Sequence, residues 1–377
     1  MAIDISLEPH HVELQRSARG VFADRCPRTT VRELEGTLPG YQPDLWEEMA
    51  HLGWLGLTFP SAFGGGDGTF LDLYMLYEEM GRSLVPSPHL DTVGVAGSLI
   101  LEVGTEEQKR QFLPEIAAGR CIVSVATIEP SGVFDPSGIS ATAVQEGGSF
   151  VLSGQKLLVG FAESADYYLV TARTAGTGRA GITLLLVEAG ASGLSIERLP
   201  NIADLPLYAV SFDGVSVPQS GVLGEAGRGW GPFAECTTKA AVLQTASIVG
   251  AARVVLEMTN QYAKDRHQFG QPIGVHQAVQ YMVSDVLIDM HTLDLLGIQA
   301  AYQISSGMPS ERAAAMAVAH GKQQAAHFHR QAHEVHAGMG FMQEYDLQLF
   351  SRRSKYWEYN LGDAAYYFEQ VAQALSI

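Results

Sequence analysis

Apolar positions follow three successive rhythms along the chain. Over residues 1–120 they recur at helical spacing: Val12, Leu14, Ala18, Val21 and Phe22, then Leu45, Met49, Leu52 and Leu55. Thr105 and Gln108 stand three apart ahead of Phe112 and Ile116, the spacing of a capping box at a helix start. Over residues 121–228 the rhythm shortens. CIVSVATI, SFVLSG, YYLVTAR, GITLLLVEA, GLSIERLP and YAVSFDGVSV are β-branched or aromatic runs bounded by Gly, Pro, Ser or Asp, and they predict closely spaced strands. Over residues 229–377 helical spacing returns. Val279, Met282, Val283, Val286, Leu287, Met290 and Leu293 predict a buried stripe on one long helix. Gly307, Met308 and Pro309 predict the next turn, with Ser310 as its helix N-cap. The expected fold is α+β: an N-terminal all-helical domain (1–120), a middle β domain (121–228) and a C-terminal helical bundle (229–377).

Composition narrows this picture. At about 150 residues per domain, 377 residues predict two or three domains. A chain that is 46% hydrophobic and 17% charged has material for a sizeable core and is not a disordered protein. The balance of 24 basic against 41 acidic residues, a net charge of -17, argues against nucleic acid or an anionic membrane as partner. Cys26, Cys121 and Cys236 are isolated, an odd number without CxxC spacing, as expected of a reducing compartment. The N-terminus lacks a basic-then-apolar leader, and no apolar run suggests the roughly 18 residues of a membrane span, so the expected location is cytoplasmic.

Three clusters are candidates for chemistry. GGGDG at 64–68 lacks the Lys-Ser/Thr of a phosphate loop and reads as a turn between helices. His327, His329, His333 and His336 lie on one predicted helix, three of them within reach of a common face, but without the HExxH pattern of a zinc site. A polar face or ligand contact is favoured, and no metal is expected. Lys264, Arg266 and His267 precede Phe269-Gly270-Gln271-Pro272, and Arg352, Arg353 and Lys355 form a second basic group. Each group either complements a helix C-terminus or receives the anionic part of a cofactor.

Five segments in order resemble the acyl-CoA dehydrogenases: HLGWLGLTFPSAFGGGDG; ATIEP with LSGQKLLV and ADYYLVTAR; VSFDGVSVPQSGVLGEAGRGW; YAKDRHQFGQPIGVHQAVQ, which matches R-x-x-F-G…Q; and HAGMGFMQEYDLQLFSRRSK. The resemblance covers nearly the whole chain. It implies the family's three-domain fold with a barrel-like middle domain and a C-terminal four-helix bundle, and FAD shared between subunits. It also implies an acyl-CoA substrate that loses its α-proton to a carboxylate and its β-hydride to the flavin, with an electron-accepting flavoprotein as redox partner.

Carried over by position, the resemblance is uneven. On the ADP side, Arg266, Phe269 and Gln277 match the pyrophosphate- and adenine-contacting residues. Val335, His336, Ala337 and Gly338 match the glycine turn, with Glu334 in place of the usual glutamine. On the flavin-ring side, Thr-Glu-Pro has become Ile128-Glu129-Pro130, and Phe134 replaces the serine before Asp135. The aromatic-Ile-Ser/Thr that covers the ring is Leu158-Val159-Gly160. The catalytic glutamate's place is Leu361, before Gly362. The alternative base position is Ala240, followed by Ala241 where an arginine is usual. Glu358, three residues before Leu361, is the candidate substitute, ahead of Asp363 and Glu235. The leading expectation is therefore a subunit that lends half an FAD site to a homologous catalytic chain, similar to subunits of actinobacterial heteromeric sterol-side-chain dehydrogenases. A self-sufficient homo-oligomer using Glu358 and a flavin-free scaffold are the alternatives.

Overall fold

A computed structural model of the chain describes residues 7–376. Six helices come first: α1 (Pro9–Arg25), α2 (Arg28–Leu34), α3 (Pro43–His51), α4 (Phe70–Ser83), α5 (Ser98–Val103) and α6 (Glu106–Ala117). Eight strands follow: β1 (Val123–Ala126), β2 (Thr142–Glu146), β3 (Ser149–Gly160), β4 (Tyr167–Arg173), β5 (Ile182–Glu188), β6 (Leu194–Leu199), β7 (Leu207–Pro218) and β8 (Val222–Leu223). The last part holds α7 (Trp230–Asp265), the short hairpin β9 (His267–Gln268) and β10 (Gln271–Pro272), then α8 (Gln277–Ser305), α9 (Glu311–His336), α10 (Leu347–Tyr359) and α11 (Ala364–Leu375). The backbone gathers into two compact units, each drawn from separated stretches.

The helical unit comprises residues up to Arg32, Thr69–Val85 and Ala241 onward. At its centre α4 is buried from Leu71 to Gly81. Its start is fixed by a capping box in which Thr69 accepts from the Asp72 N–H and Asp72 accepts from the Thr69 N–H. A Cβ on Gly81 would lie 2.1 Å from the Ser247 carbonyl, and one on Gly250 would lie 1.9 Å from that of Glu78, so α4 and α7 touch backbone to backbone. Glu78 and Glu79, carried inside by α4, are neutralised by Arg253 at 2.7 Å and Arg19 at 2.7 Å. The predicted stripe of α8 is only partly buried. Val286, Met290 and Leu293 face the interior, but Leu287 is exposed, as are Tyr281, Ile288 and Leu295 on another face. Ser310 stands at the N-cap position of α9 without capping it, because its side chain makes no cap hydrogen bond.

The sheet unit comprises Glu33–Gly68 and Pro86–Ala240. Its eight-stranded sheet runs β6-β7-β3-β2-β4-β5-β8, with β1 parallel to β4. Alternate residues of β3, β4, β5 and β7 (Phe150, Leu152, Val170, Leu185, Val210 and Phe212 among them) form its core. Register shifts break the β3–β7 ladder between Leu152 and Gly154 and between Lys156 and Val159. Thr105 and Gln108 form the expected capping box. The glycine cluster is a packed turn: a Cβ on Gly65 would strike the Phe59 carbonyl at 2.0 Å, and Asp67 accepts from the Ser61 N–H at 2.9 Å.

One expectation is corrected by α7. It has the length and an 18-residue window of mean hydropathy 1.4 that a membrane span requires, although no such run was anticipated. The window is 78% buried within the protein, so its apolarity is that of a core helix.

Candidate functional site

The ring-side segments meet in the sheet unit. The Leu157 N–H donates to the Ile128 carbonyl at 2.7 Å, joining Ile128-Glu129-Pro130 to Leu158-Val159-Gly160. The second register shift leaves Leu158 with φ +56 and 48% exposed, while Val159 and Gly160 are buried. Beneath them lies a charged pair. Lys156 donates to Glu129 at 2.7 Å, to the Thr127 carbonyl at 3.3 Å and to Thr171 Oγ1 at 3.2 Å. Glu129 also accepts from the Ser140 and Ala141 N–H groups and from the Ser140 hydroxyl. Burial pushes the Lys156 ammonium down to about 8. Burial alone would raise Glu129, but Lys156 and the neighbouring donors hold it below its ordinary value. The polar groups of this wall are thus bonded inward. Phe134 packs edge-on to Trp230, with centroids 6.5 Å apart, and offers no hydroxyl; neither does Gly160.

Sequence reasoning missed Asp91 here. Its Oδ2 accepts from the Val125 N–H at 3.2 Å and lies 3.4 Å from where a Cβ on Gly160 would stand. Enclosure by the protein pushes this carboxyl up to about 7. No motif surrounds it, and only the fold brings it beside Gly160.

The ADP-side residues lie in the helical unit. α7 ends at Asp265, and Arg266 follows with its side chain exposed and in no ion pair among the described residues. Phe269 tips the β9–β10 hairpin at φ +54, 94% exposed. Gln277 opens α8 and donates to Tyr281 Oη at 2.5 Å. Tyr262, one turn before Arg266, stacks on His336 with centroids 4.5 Å apart, which ties this end of α7 to the glycine turn. Val335 and His336 are buried, and His336 is bonded to the Ala332 carbonyl and Tyr345 Oη, so neither side chain is offered to a ligand. Glu334, Ala337 and Gly338 are exposed. With Arg330, His333 and Phe341 they line a recess of about 490 Å³. Ala337 has φ 49 and ψ -136, a conformation suited to glycine.

The base position carries no carboxylate. Leu361 is buried with φ +59, and Gly362 follows with φ +94. α10 stops at Tyr359, so Glu358 and Leu361 do not share a helical face. Glu358 instead accepts from Lys355 at 2.9 Å. Asp363 caps α11 by accepting from the Tyr366 N–H, and Glu235 pairs with Lys239 at 2.7 Å. Ala240 and Ala241 are buried in α7.

The remaining candidates resolve into internal contacts. His327 bonds to Asp289 at 2.8 Å, His329 is buried, and His333 stacks on Phe341 with centroids 4.5 Å apart, so these histidines are engaged within the protein. Burial pushes His329 down to about 3. His10, His11 and Asp72 approach metal-ligand spacing. His11 Nδ1 accepts the Glu8 N–H, however, which leaves the ring proton on the Nε2 that faces Asp72. The second basic group is not an open anion site: Arg353 is buried, Arg352 donates to Gln348, and Lys355 pairs with Glu358. The three cysteines are buried, and desolvation raises all three thiols, Cys26 to about 11 and Cys121 to about 12.

The two sets of residues thus differ in chemistry. The helical surface offers an exposed guanidinium, a glutamine amide and a glycine turn beside a recess, donors suited to an anion. The sheet wall carries no side-chain hydroxyl at Phe134 or Gly160.

Comparison with known proteins gives this arrangement its family. The models of the acyl-CoA dehydrogenase N-terminal, middle and C-terminal domains match residues 8–120, 124–215 and 227–376. The chain is 29% identical over 329 residues to a probable acyl-CoA dehydrogenase, YngJ, of Bacillus subtilis, covering 84% of this chain and 85% of that one. It is 28% identical over 337 residues to the Caffeyl-CoA reductase-Etf complex subunit CarC of Acetobacterium woodii, covering 88% and 89%. The solved Tcur3481-Tcur3483 steroid ACAD variant superposes with a TM-score of 0.86 at 28% identity, covering 97% of this chain and 98% of that one. The chain belongs to the acyl-CoA dehydrogenase family, flavoprotein oxidoreductases of helical, β and helical domains that use FAD and act on the CH–CH bonds of acyl-CoA thioesters.

Proposed function

We propose that this chain is one subunit of a heteromeric acyl-CoA dehydrogenase and lends the ADP-facing half of an FAD site to a homologous catalytic chain. The observation that carries the reading is the asymmetry between the two surfaces. Arg266, Phe269 and Gln277 face outward, whereas Phe134, Leu158 and Gly160 provide no ring-binding hydroxyl and Leu361 no base. Solved relatives of two-component name, such as the Tcur3481-Tcur3483 pair, give the reading a precedent.

When bound, FAD supplies the hydride acceptor for α,β-desaturation of the thioester. This chain's part is binding and orientation. Arg266 presents a planar fork of donors to the pyrophosphate, and the amide of Gln277 and the exposed backbone at Ala337-Gly338 meet the ribose and adenine. Proton abstraction belongs to the catalytic chain, because the carboxylates nearest the usual base position are engaged with Lys355 or with the α11 N-terminus. An electron-transferring flavoprotein is the expected redox partner, supported by CarC, whose name places it in an Etf complex. The cytoplasm is the expected location.

The test is expression of the chain alone and together with the product of an adjacent dehydrogenase-like gene, followed by absorbance spectroscopy. A colourless chain alone and a yellow, acyl-CoA-oxidising complex are expected. A chain that alone holds one FAD and oxidises an acyl-CoA overturns the proposal.

A further inference from the structure

The helical unit holds a second recess, where α8 gives way to α9. The turn between these helices is short. Gly307, at φ +62, donates its N–H to the Ile304 carbonyl at 3.2 Å, and the Met308 N–H donates to the Gln303 carbonyl at 2.9 Å. The last turns of α8 and the first of α9 are thereby held together, and between them lies a recess of about 330 Å³ that Leu375, at the end of α11, also lines. Gln299 on its wall is 22 residues along α8 from Gln277, roughly 33 Å at the helical rise, so this recess is separate from the ADP-side residues.

Its lining is of two kinds. Leu296, Met316 and Leu375 are apolar, and Ala313 leaves depth that a longer side chain would take up. Against them stand three polar side chains, the amides of Gln299 and Gln303 and the guanidinium of Arg312. None of the three has a hydrogen bond or ion pair among the described residues. Other arginines of the unit are paired: Arg19 with Glu79, Arg82 with Glu257, and Arg253 with Glu78 and Asp294. In a chain of 41 acidic and 24 basic residues, an arginine left open beside an apolar recess stands apart. Apolar walls with a few polar groups, in a space of this size, are the make-up of a small-molecule site.

We propose that this recess binds a monocarboxylate with a short hydrocarbon body. The planar fork of Arg312 matches a carboxylate with two parallel N–H donors, and the Gln299 and Gln303 amides complete the polar end. The hydrocarbon body lies against Leu296, Met316 and Leu375, where its apolar surface leaves water. A small inorganic anion uses the polar end alone, and a neutral alcohol lacks the charge that Arg312 answers. Hydrolysis of an acyl-CoA thioester frees an acid of this make-up, so the site takes in free form the kind of acyl group that the family handles as a thioester. The inference is independent of the heteromer reading.

The test is titration of the full chain with octanoate, followed by the methionine methyl signals in NMR and by the melting temperature. Octanoate should shift the Met316 methyl saturably and raise the melting temperature. Affinity should tighten about threefold to fourfold with each methylene from butanoate through hexanoate to octanoate. Octanol in place of octanoate, or Arg312→Gln in place of the native chain, should weaken binding about tenfold or more, the worth of a charge-assisted contact. Ala313→Leu should abolish binding by filling the recess. Acetate binding as tightly as octanoate overturns the proposal, since it would show attraction of an anion only. So does octanol binding as tightly as octanoate, undiminished binding in Arg312→Gln, or a Met316 methyl that does not move. Should Ala313→Leu not fold, the chain-length series and Arg312→Gln, at an exposed position, decide the matter.

Discussion

Around Gly160 the polar side chains turn inward: Lys156, Glu129, Thr127 and Thr171 bond to one another, and Leu158 is left to face out. Around Arg266 the polarity is reversed, with the guanidinium and the Gln277 amide exposed and the hairpin tip at Phe269 almost wholly in solvent. Under the proposed function, the two regions teach how a binding role can be absent from one surface without disturbing its fold. The sheet wall holds a buried ion pair and two register shifts while offering no hydroxyl at Phe134 or Gly160. The helical surface leaves the Arg266 guanidinium in no ion pair among the described residues.

The largest effect is expected from the wall's interior. Lys156→Met leaves Glu129 charged and buried without its partner, and should destabilise the protein by about 3–5 kcal/mol in chemical denaturation. A loss below about 1 kcal/mol would show that the pair does not hold the wall. Next is Arg266→Ala. It should weaken FAD binding by the complex by about 10- to 100-fold, the worth of one charge-assisted contact to phosphate, and leave the melting temperature of the isolated chain unchanged. A fall in melting temperature with intact FAD affinity would make Arg266 a structural residue.

Acid should weaken the helical unit through His329. His329 has a folded value of about 3 against 6.5 when unfolded, so the unfolded chain binds more protons between these values. Stability from this group is complete above about 6.5 and is lost as pH falls toward 3, at about 1.4 kcal/mol per pH unit. Hydrogen exchange measured from pH 7 to 4 should show α9 losing protection, and His329→Phe should flatten that dependence. An unchanged slope in the variant would contradict the assignment. The smallest effect is at the glycine turn, where Ala337→Gly should stabilise by about 1 kcal/mol, strain relief less the entropy of glycine. A destabilised variant would mean that Ala337 is not strained.

Much of this was legible in the chain. The order of helices, strands and helices followed from spacing, and the capping box at Thr105 from two residue types three apart. The replacements at Phe134, Gly160 and Leu361 were visible because the resemblance supplies a residue expected at each place. What could not be read depends on contacts remote in sequence. Lys322 meets a turn 38 residues away and a glutamine 78 residues away, and Asp91 meets a strand 34 residues away. The surroundings of Glu358 and of the Arg352–Lys355 group were not readable either, because spacing alone does not say which charges of α10 pair within the helix or turn inward. The stripe on α8 shows that apolarity marks a surface to be covered without saying by what.

The central claim is that half of a site resides here, and flavin stoichiometry tests it most directly. FAD released from the purified chain alone and from its one-to-one complex with the homologous chain can be counted against protein. The expected result is no bound FAD on the chain alone and one FAD per pair of unlike chains, held more weakly when Arg266 is replaced by alanine in this chain. One FAD per chain in the homomer, or two per pair, would contradict it.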